Sequence, residues 1–361
     1  MEIYGRIAAG FEPVREAFAD VVAAQPGTGA ATAMWHQGRW VVDLWGGWAD
    51  AARTRPWERD SIVMPYSVGK PFAAMSALVL VQQGALNLDA PMQRYWPELR
   101  ATATVRHALS HAAGLVALDG EPLPAKTFGD WAAMCALLAR QEPSWVPGQG
   151  LGESALFYGH LLGELVRRVD GRMPRAHWQQ EVCGPLGLDF HIGLDAAQQA
   201  RTVELTGLTP AYREEQLAGR PELYRRGISN PACAQEPEVV NSPAWRSAQV
   251  PAINGHGTAR AVAGLYAALL QGQLLDPGLL AEAVSPQASG LDLVLGDERD
   301  WGLGFAVEDD GWGMGGLGGN SGWACTEADY AFAFVTGSVG GFERSDRIEN
   351  AAREVLGLRP L

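Results

Sequence analysis

At 361 residues with 47% hydrophobic and 19% charged positions, the chain can bury one large core or two linked subdomains. A formal charge of -13 argues against nucleic acid or an anionic membrane surface as partner. No apolar run approaches the roughly 18–20 residues that span a bilayer, and residues 1–10 lack a signal-type core and cleavage site, so the expected location is the cytoplasm.

Residues 32–48 alternate in strand fashion around Gln37-Gly38, which predicts a hairpin with Trp40, Trp45 and Trp48 on the return strand. An apolar helix follows from Ser67 and ends at Gly84, and residues 86–98 read as irregular. Residues 104–195 are mostly helical in pattern, notably 131–140, 158–169 and 177–182. The Pro-punctuated stretch 209–251 has no strong periodicity, and a loop of that length is often functional or mobile. Residues 259–271 form a helix rich in Ala and Leu. Residues 301–308, 323–326 and 330–336 read as strands separated by Gly-rich turns, and a helix over 346–356 closes the chain. Strands at both ends around a helical middle predict an α+β fold, an antiparallel sheet flanked by helices. The expected division places 1–75 and 250–361 in one α/β subdomain and 76–249 in an inserted helical one. Cys135, Cys183, Cys233 and Cys325 are scattered without a C-x-x-C pair, which indicates neither a zinc site nor a disulfide framework. Cys135 is expected to act as a small buried apolar side chain.

Within the helix over 67–84 lies Ser67-Val68-Gly69-Lys70, an S-x-x-K tetrad. Lys70 follows Ser67 by about one helical turn, so both side chains leave the same side of the helix start. A serine hydroxyl attacks a carbonyl only when something takes its proton, and a lysine amine does so if its own pKa is lowered. Standing alone, the tetrad reads far more readily as a Ser N-cap followed by a solvated Lys.

Further stretches change that balance. Val42-Asp-Leu-Trp-Gly-Gly-Trp-Ala-Asp50, Leu88-Asp-Ala-Pro91, Val105-Arg-His-Ala-Leu-Ser-His-Ala-Ala-Gly-Leu115, Pro147-Gly148, Gly184-Pro-Leu-Gly-Leu-Asp189 and Asn254-Gly-His-Gly-Thr-Ala-Arg260 accompany it. With these, the chain resembles the serine β-lactamase and penicillin-binding-protein superfamily, in its class C-like branch and closest to the family VIII carboxylesterases. The resemblance implies Ser67 as nucleophile, Lys70 as its partner, and an oxyanion hole from the backbone N–H groups of Ser67 and Leu317. It also implies a substrate pocket that includes Tyr66, Met314, Gly315 and Gly316, with Trp312 and Trp323 flanking the Gly-rich motif.

Two motif leaders depart from that family. The tyrosine of the second motif, six residues after the Pro of the Pro-Gly pair, is replaced by Glu153. Tyr158 is the nearest tyrosine, but it stands more than a helical turn away. The third motif, Lys-Thr-Gly or His-Gly-Gly in relatives, falls on Met314-Gly315-Gly316, which shifts the expected substrate toward neutral or aromatic compounds. A carboxylate at 153 is expected to hold Lys70 in its charged form, and to serve as base itself if burial lifts its pKa toward neutrality. His107 and His111, four apart without a third acidic ligand, are read as structural rather than as a metal pair, and His256 as a loop residue. The expected activity is a serine hydrolase forming an acyl-enzyme from a small-molecule ester, lactone or amide, with no cofactor and no metal. The alternatives are acyl transfer on the same scaffold, or a catalytically altered relative that binds a ligand or runs a different reaction. Oligomeric state has no signature in the chain.

Overall fold

Alternation of side-chain size along the last strand sets up the central sheet. The computed structural model describes every residue except Met1, Pro26 and Cys233, so the expectation for Cys233 lies outside the described residues. Three strands come from the N-terminal part: β1 (Ile3–Ile7), β2 (Ala30–His36) and β3 (Arg39–Gly46). Six come from the C-terminal part: β4 (Ala288–Leu291), β5 (Glu298–Trp301), β6 (Ala306–Glu308), β7 (Gly311–Gly316), β8 (Asn320–Cys325) and β9 (Tyr330–Thr336). Their spatial order is β1-β3-β2-β9-β8-β7-β6-β5-β4, with every neighbouring pair antiparallel. The hairpin turn at Gln37 and Gly38 has φ of 46° and 85°, the doubly left-handed geometry that suits a two-residue connection.

Along β9 the odd positions Ala331, Ala333 and Val335 face one core, while Tyr330, Phe332 and Phe334 face the other. The small residues let helix α5 (Ala259–Leu270), itself mostly Ala and Leu, lie close on β2, β8 and β9. The large ones are covered by α1 (Glu12–Ala24) and α6 (Glu343–Val355). On the α5 side also lies α2 (Lys70–Gln82), buried on all faces over residues 70–80 and packed on α4 (Tyr158–Asp170), with α3 (Trp131–Arg140) beyond it. Cys135, Cys183 and Cys325 are buried free thiols. Among the described residues no helix is long and apolar enough to cross a membrane.

Several local readings of the sequence are corrected. Ser67 lies in a 3-10 turn (Tyr66–Gly69), and the α-helix begins only at Lys70, where Pro71 suits a first-turn position. Residues 301–308 are two strands, broken where Gly304 takes φ +99° because its Cα faces Ala74; a Cβ there would come within 2.2 Å of the Ala74 Cβ. The stretch 311–316 is a strand rather than a turn. Its glycines accommodate the Trp323 indole, since a Cβ on Gly311 or Gly313 would meet Trp323 atoms at 2.4 or 2.2 Å. The 209–251 excursion holds four short helices, Pro210–Leu217, Glu222–Ser229, Pro237–Val240 and Pro243–Ser247. None has the length for a readable periodicity.

Candidate active site

Tyr66 presents the serine. Its backbone has φ +51°, a left-handed conformation that bulky residues rarely adopt, and its buried phenol donates to the Ala234 carbonyl at 3.0 Å. The turn that follows sets Ser67 at the wall of a cavity of about 630 Å³. One turn on, Lys70 is fully buried, 0% exposed, at the head of α2.

Three groups converge there. Lys70 Nζ is 2.6 Å from Ser67 Oγ and 2.8 Å from Glu153 Oε1, and Ser67 Oγ is 3.4 Å from that same oxygen. Glu153 stands 12% exposed, in the loop before α4. Burial holds Lys70 below the ordinary lysine value, with the charge of Glu153 opposing it. Glu153 acts on the lysine in the expected sense, but desolvation of the fully buried ammonium is the larger effect and sets the net direction. Burial alone would push the Glu153 carboxyl up. The charge of Lys70, the adjacent His111 and the hydrogen bonds from Lys70 and Ser67 outweigh it and leave Glu153 below the usual range. The expected lift of Glu153 toward neutrality is therefore absent, and a carboxylate held low is a weak base. As placed, Lys70 Nζ donates to Ser67 Oγ and to Glu153, so it is the nitrogen nearest the hydroxyl and is poised to take its proton once it has released one of its own.

The remaining candidates divide. Tyr66, Met314, Gly315, Gly316, Leu317 and Trp323 line the cavity with Ser67 and Glu153. Trp312 does not: its ring packs at 4.8 Å from Phe305 and 5.5 Å from Tyr266, and its Nε1 donates to Thr326 Oγ1. Trp312 pairs with Ala324 and Trp323 with Gly313, so the two indoles leave opposite faces of the sheet, and the expectation that Trp312 lines the pocket is corrected. Met314 is nearly buried among Leu151, Trp301 and Ala306 and gives the cavity an apolar lining there. Tyr158 does not substitute for the missing tyrosine. It is buried, its hydroxyl donates to the Leu109 carbonyl, and burial pushes its pKa up. His107 caps a helix, its Nδ1 accepting from the Thr104 N–H. His256 is buried against the Asn254 carbonyl, and burial pushes its pKa down to about 3.

Sequence reasoning missed most of the cavity wall. Tyr212, Tyr224 and Ile228 come from the short helices of the 209–251 excursion and Arg220 from the link between the first two, and the length of that excursion was its only signal. Leu295 and Trp301 flank Asp292, a lone Asp with no motif around it. Close approach of β7 to the Ser67 turn is equally specific, since a Cβ on Gly316 would lie 2.1 Å from the Pro65 carbonyl oxygen. Gly316→Ala is therefore expected to push Leu317 off the Ser67 turn. Steady-state assays should show kcat lowered by about 10²-fold, the cost of one oxyanion donor, with a folded chain by circular dichroism.

With this geometry in place, comparison with known proteins gives consistent matches. A model of the Beta-lactamase family matches residues 14–356. The chain is similar to Esterase/beta-lactamase LipL of Mycobacterium tuberculosis (strain ATCC 25618 / H37Rv), 32% identical over 363 residues covering 92% of this chain and 82% of that protein. Among solved structures it is similar to a family VIII carboxylesterase, at 31% identity and TM-score 0.89 over 98% of this chain and 100% of the other. A penicillin-binding protein homolog from Caulobacter crescentus matches at 32% identity and TM-score 0.88, over 98% and 100% of the two chains.

Proposed function

We propose, on the premise that this chain belongs to the beta-lactamase family, that it is a serine hydrolase cleaving a small-molecule ester through an acyl-enzyme on Ser67. The observation that carries this reading is the 2.6 Å approach of a buried Lys70 amine to Ser67 Oγ at a cavity wall. As Oγ bonds the carbonyl carbon, its proton passes to Lys70 Nζ and the carbonyl π pair moves onto oxygen, toward the N–H groups of Ser67 and Leu317. Collapse breaks the bond to the leaving alkoxide, which takes the proton from Lys70. Water then repeats the sequence and frees the acid. Proton transfer from Ser67 turns a Lys70 amine beside Glu153 into an ammonium, which the carboxylate stabilises more than the amine that precedes it. The apolar lining at Met314 together with Tyr224, Leu295 and Trp323 favours a neutral, hydrophobic acyl or alcohol group.

Hydrolysis of p-nitrophenyl butyrate by the purified chain, with a fluorophosphonate adduct mapped to the Ser67 peptide, tests this reading. An adduct elsewhere, or no turnover, would reject it. The pH profile tests the division of roles. A base works only when unprotonated, so the rate should fall as pH drops through the pKa of Lys70. Glu153→Gln removes the charge that opposes desolvation, so Lys70 should fall further and the acid limb should move to lower pH. The plateau kcat should also drop about 10–10²-fold, the worth of one charge-assisted hydrogen bond of ~1.5–3 kcal/mol. An acid limb moving to higher pH would reject Lys70 as the base.

A further inference from the structure

The loop carrying Glu153 is gripped on both sides. Gly152 N–H donates to the His111 carbonyl at 3.0 Å, Ser154 N–H to His111 Nδ1 at 3.2 Å, and Ser154 Oγ to the Leu115 carbonyl at 2.8 Å. These bonds fix the neighbours of Glu153. The backbone N–H of Glu153 itself donates to Asp292 Oδ2 at 2.9 Å.

We infer that Asp292 is a positioning residue for the catalytic pair, an acceptor on the pocket wall that holds the Glu153 peptide so that its carboxylate meets Lys70. This rests on the hydrolase reading above.

Asp292 is 0% exposed, and its two oxygens accept four N–H donors. Oδ2 takes Glu153 N–H and Trp301 Nε1–H, each at 2.9 Å, and Oδ1 takes the N–H groups of Val294 at 2.9 Å and Leu295 at 2.7 Å. One side of the carboxylate therefore organises the wall residues and the other reaches the catalytic loop. Trp301 and Leu295 both line the cavity. The Trp301 ring also meets His111 edge-on at 4.4 Å, which closes the grip around the Glu153 loop. Burial raises the Asp292 carboxyl, and the nearby charge of Glu153 adds to that rise, despite the hydrogen bonds that oppose it. The charged and titratable groups facing this cluster are Glu153 itself, Arg299, whose guanidinium feels Asp292 while paired with Asp297, and, around Glu153, Lys70, His111 and Tyr224. His111 is neutral there, pushed down to about 3 by burial. Two carboxylates thus share one region with a single buried ammonium or amine.

Asp292→Asn keeps the shape but turns an amide N–H₂ toward one pair of N–H donors, so one side of the grip is lost. With p-nitrophenyl butyrate, kcat should fall about tenfold or more while KM stays within about threefold. A Glu153 carboxylate let out of position also supports the Lys70 charge less, so the acid limb should move to lower pH. In the Glu153→Gln background, Asp292→Asn should cost little further kcat, because the carboxylate it positions is already gone. Equal fold-losses in the two backgrounds, or an unmoved acid limb, would overturn the inference. If Asp292→Asn does not fold, Trp301→Phe removes one donor to the same carboxylate. Its kcat loss should be smaller and should vanish in the Glu153→Gln background, and an equal loss in both overturns the inference. A wild type that fails to label at Ser67 overturns the hydrolase reading together with this one. Labelling at Ser67 with additive losses overturns only this one.

Discussion

Ser67→Ala is expected to abolish fluorophosphonate labelling and to cut ester turnover on the order of 10⁶-fold, the scale on which removal of a serine nucleophile acts. The fold should survive, because Ser67 is only partly buried and, among the described residues, its hydroxyl bonds with Lys70 and Glu153 alone. Alanine leaves the Lys70–Glu153 contact at 2.8 Å intact, so the two buried groups keep each other as partners. Turnover measured beside a thermal melt separates the two effects. Wild-type turnover in a folded variant would place the chemistry on another residue.

Lys70→Met carries the second large effect. Methionine fills much of the same volume at a position of 0% exposure, so the head of α2 should keep its packing. The proton acceptor nearest Ser67 is lost, and acylation should fall by about 10²–10⁴-fold, the usual worth of positioned general-base catalysis. The rate of fluorophosphonate labelling reads this step alone. A second consequence follows for Glu153. Lys70 is the opposing charge that holds its carboxyl down, so in the variant desolvation should lift that carboxyl above the usual range. A carboxylate so raised becomes a better base, and residual labelling in Lys70→Met should increase with pH through the new pKa of Glu153. Undiminished labelling in a folded Lys70→Met would remove the lysine from the mechanism.

Short motifs and strong periodicities were readable in the chain, and close backbone contacts were not. The tetrad Ser67-Val68-Gly69-Lys70 and the spacing from Pro147 to Glu153 led to three side chains that meet within 3.4 Å. The hairpin at Gln37-Gly38 was legible because two residues with positive φ demand that kind of turn. The strand over 311–316 was not, because glycine pattern alone does not tell a flexible turn from a strand making room for an indole. Trp312 and Trp323 looked alike in sequence, and only pairing register sends one into the core and the other to the cavity. Asp292 left no trace, since its role depends on four N–H groups that converge only after β4, β5 and the Glu153 loop are in place. The net direction of the shifts at Lys70 and Glu153 was hidden for the same reason. Composition does not disclose how completely an ammonium is stripped of water.

The pairing of β2 with β9 has a consequence for how the protein is made. Thr32 Oγ1 donates to the Ala333 carbonyl across this seam, joining positions 301 residues apart. On a ribosome adding about 5–20 residues per second, the inner edge of the N-terminal hairpin waits on the order of 15–60 s for its partner strand. Through that interval its backbone donors and acceptors offer themselves to any other extended chain. The Ser67 turn is synthesised early, yet β7 and the Leu317 that follows it arrive near the end. Nascent chains therefore carry the serine long before they carry a site, and chaperone demand should concentrate in that window.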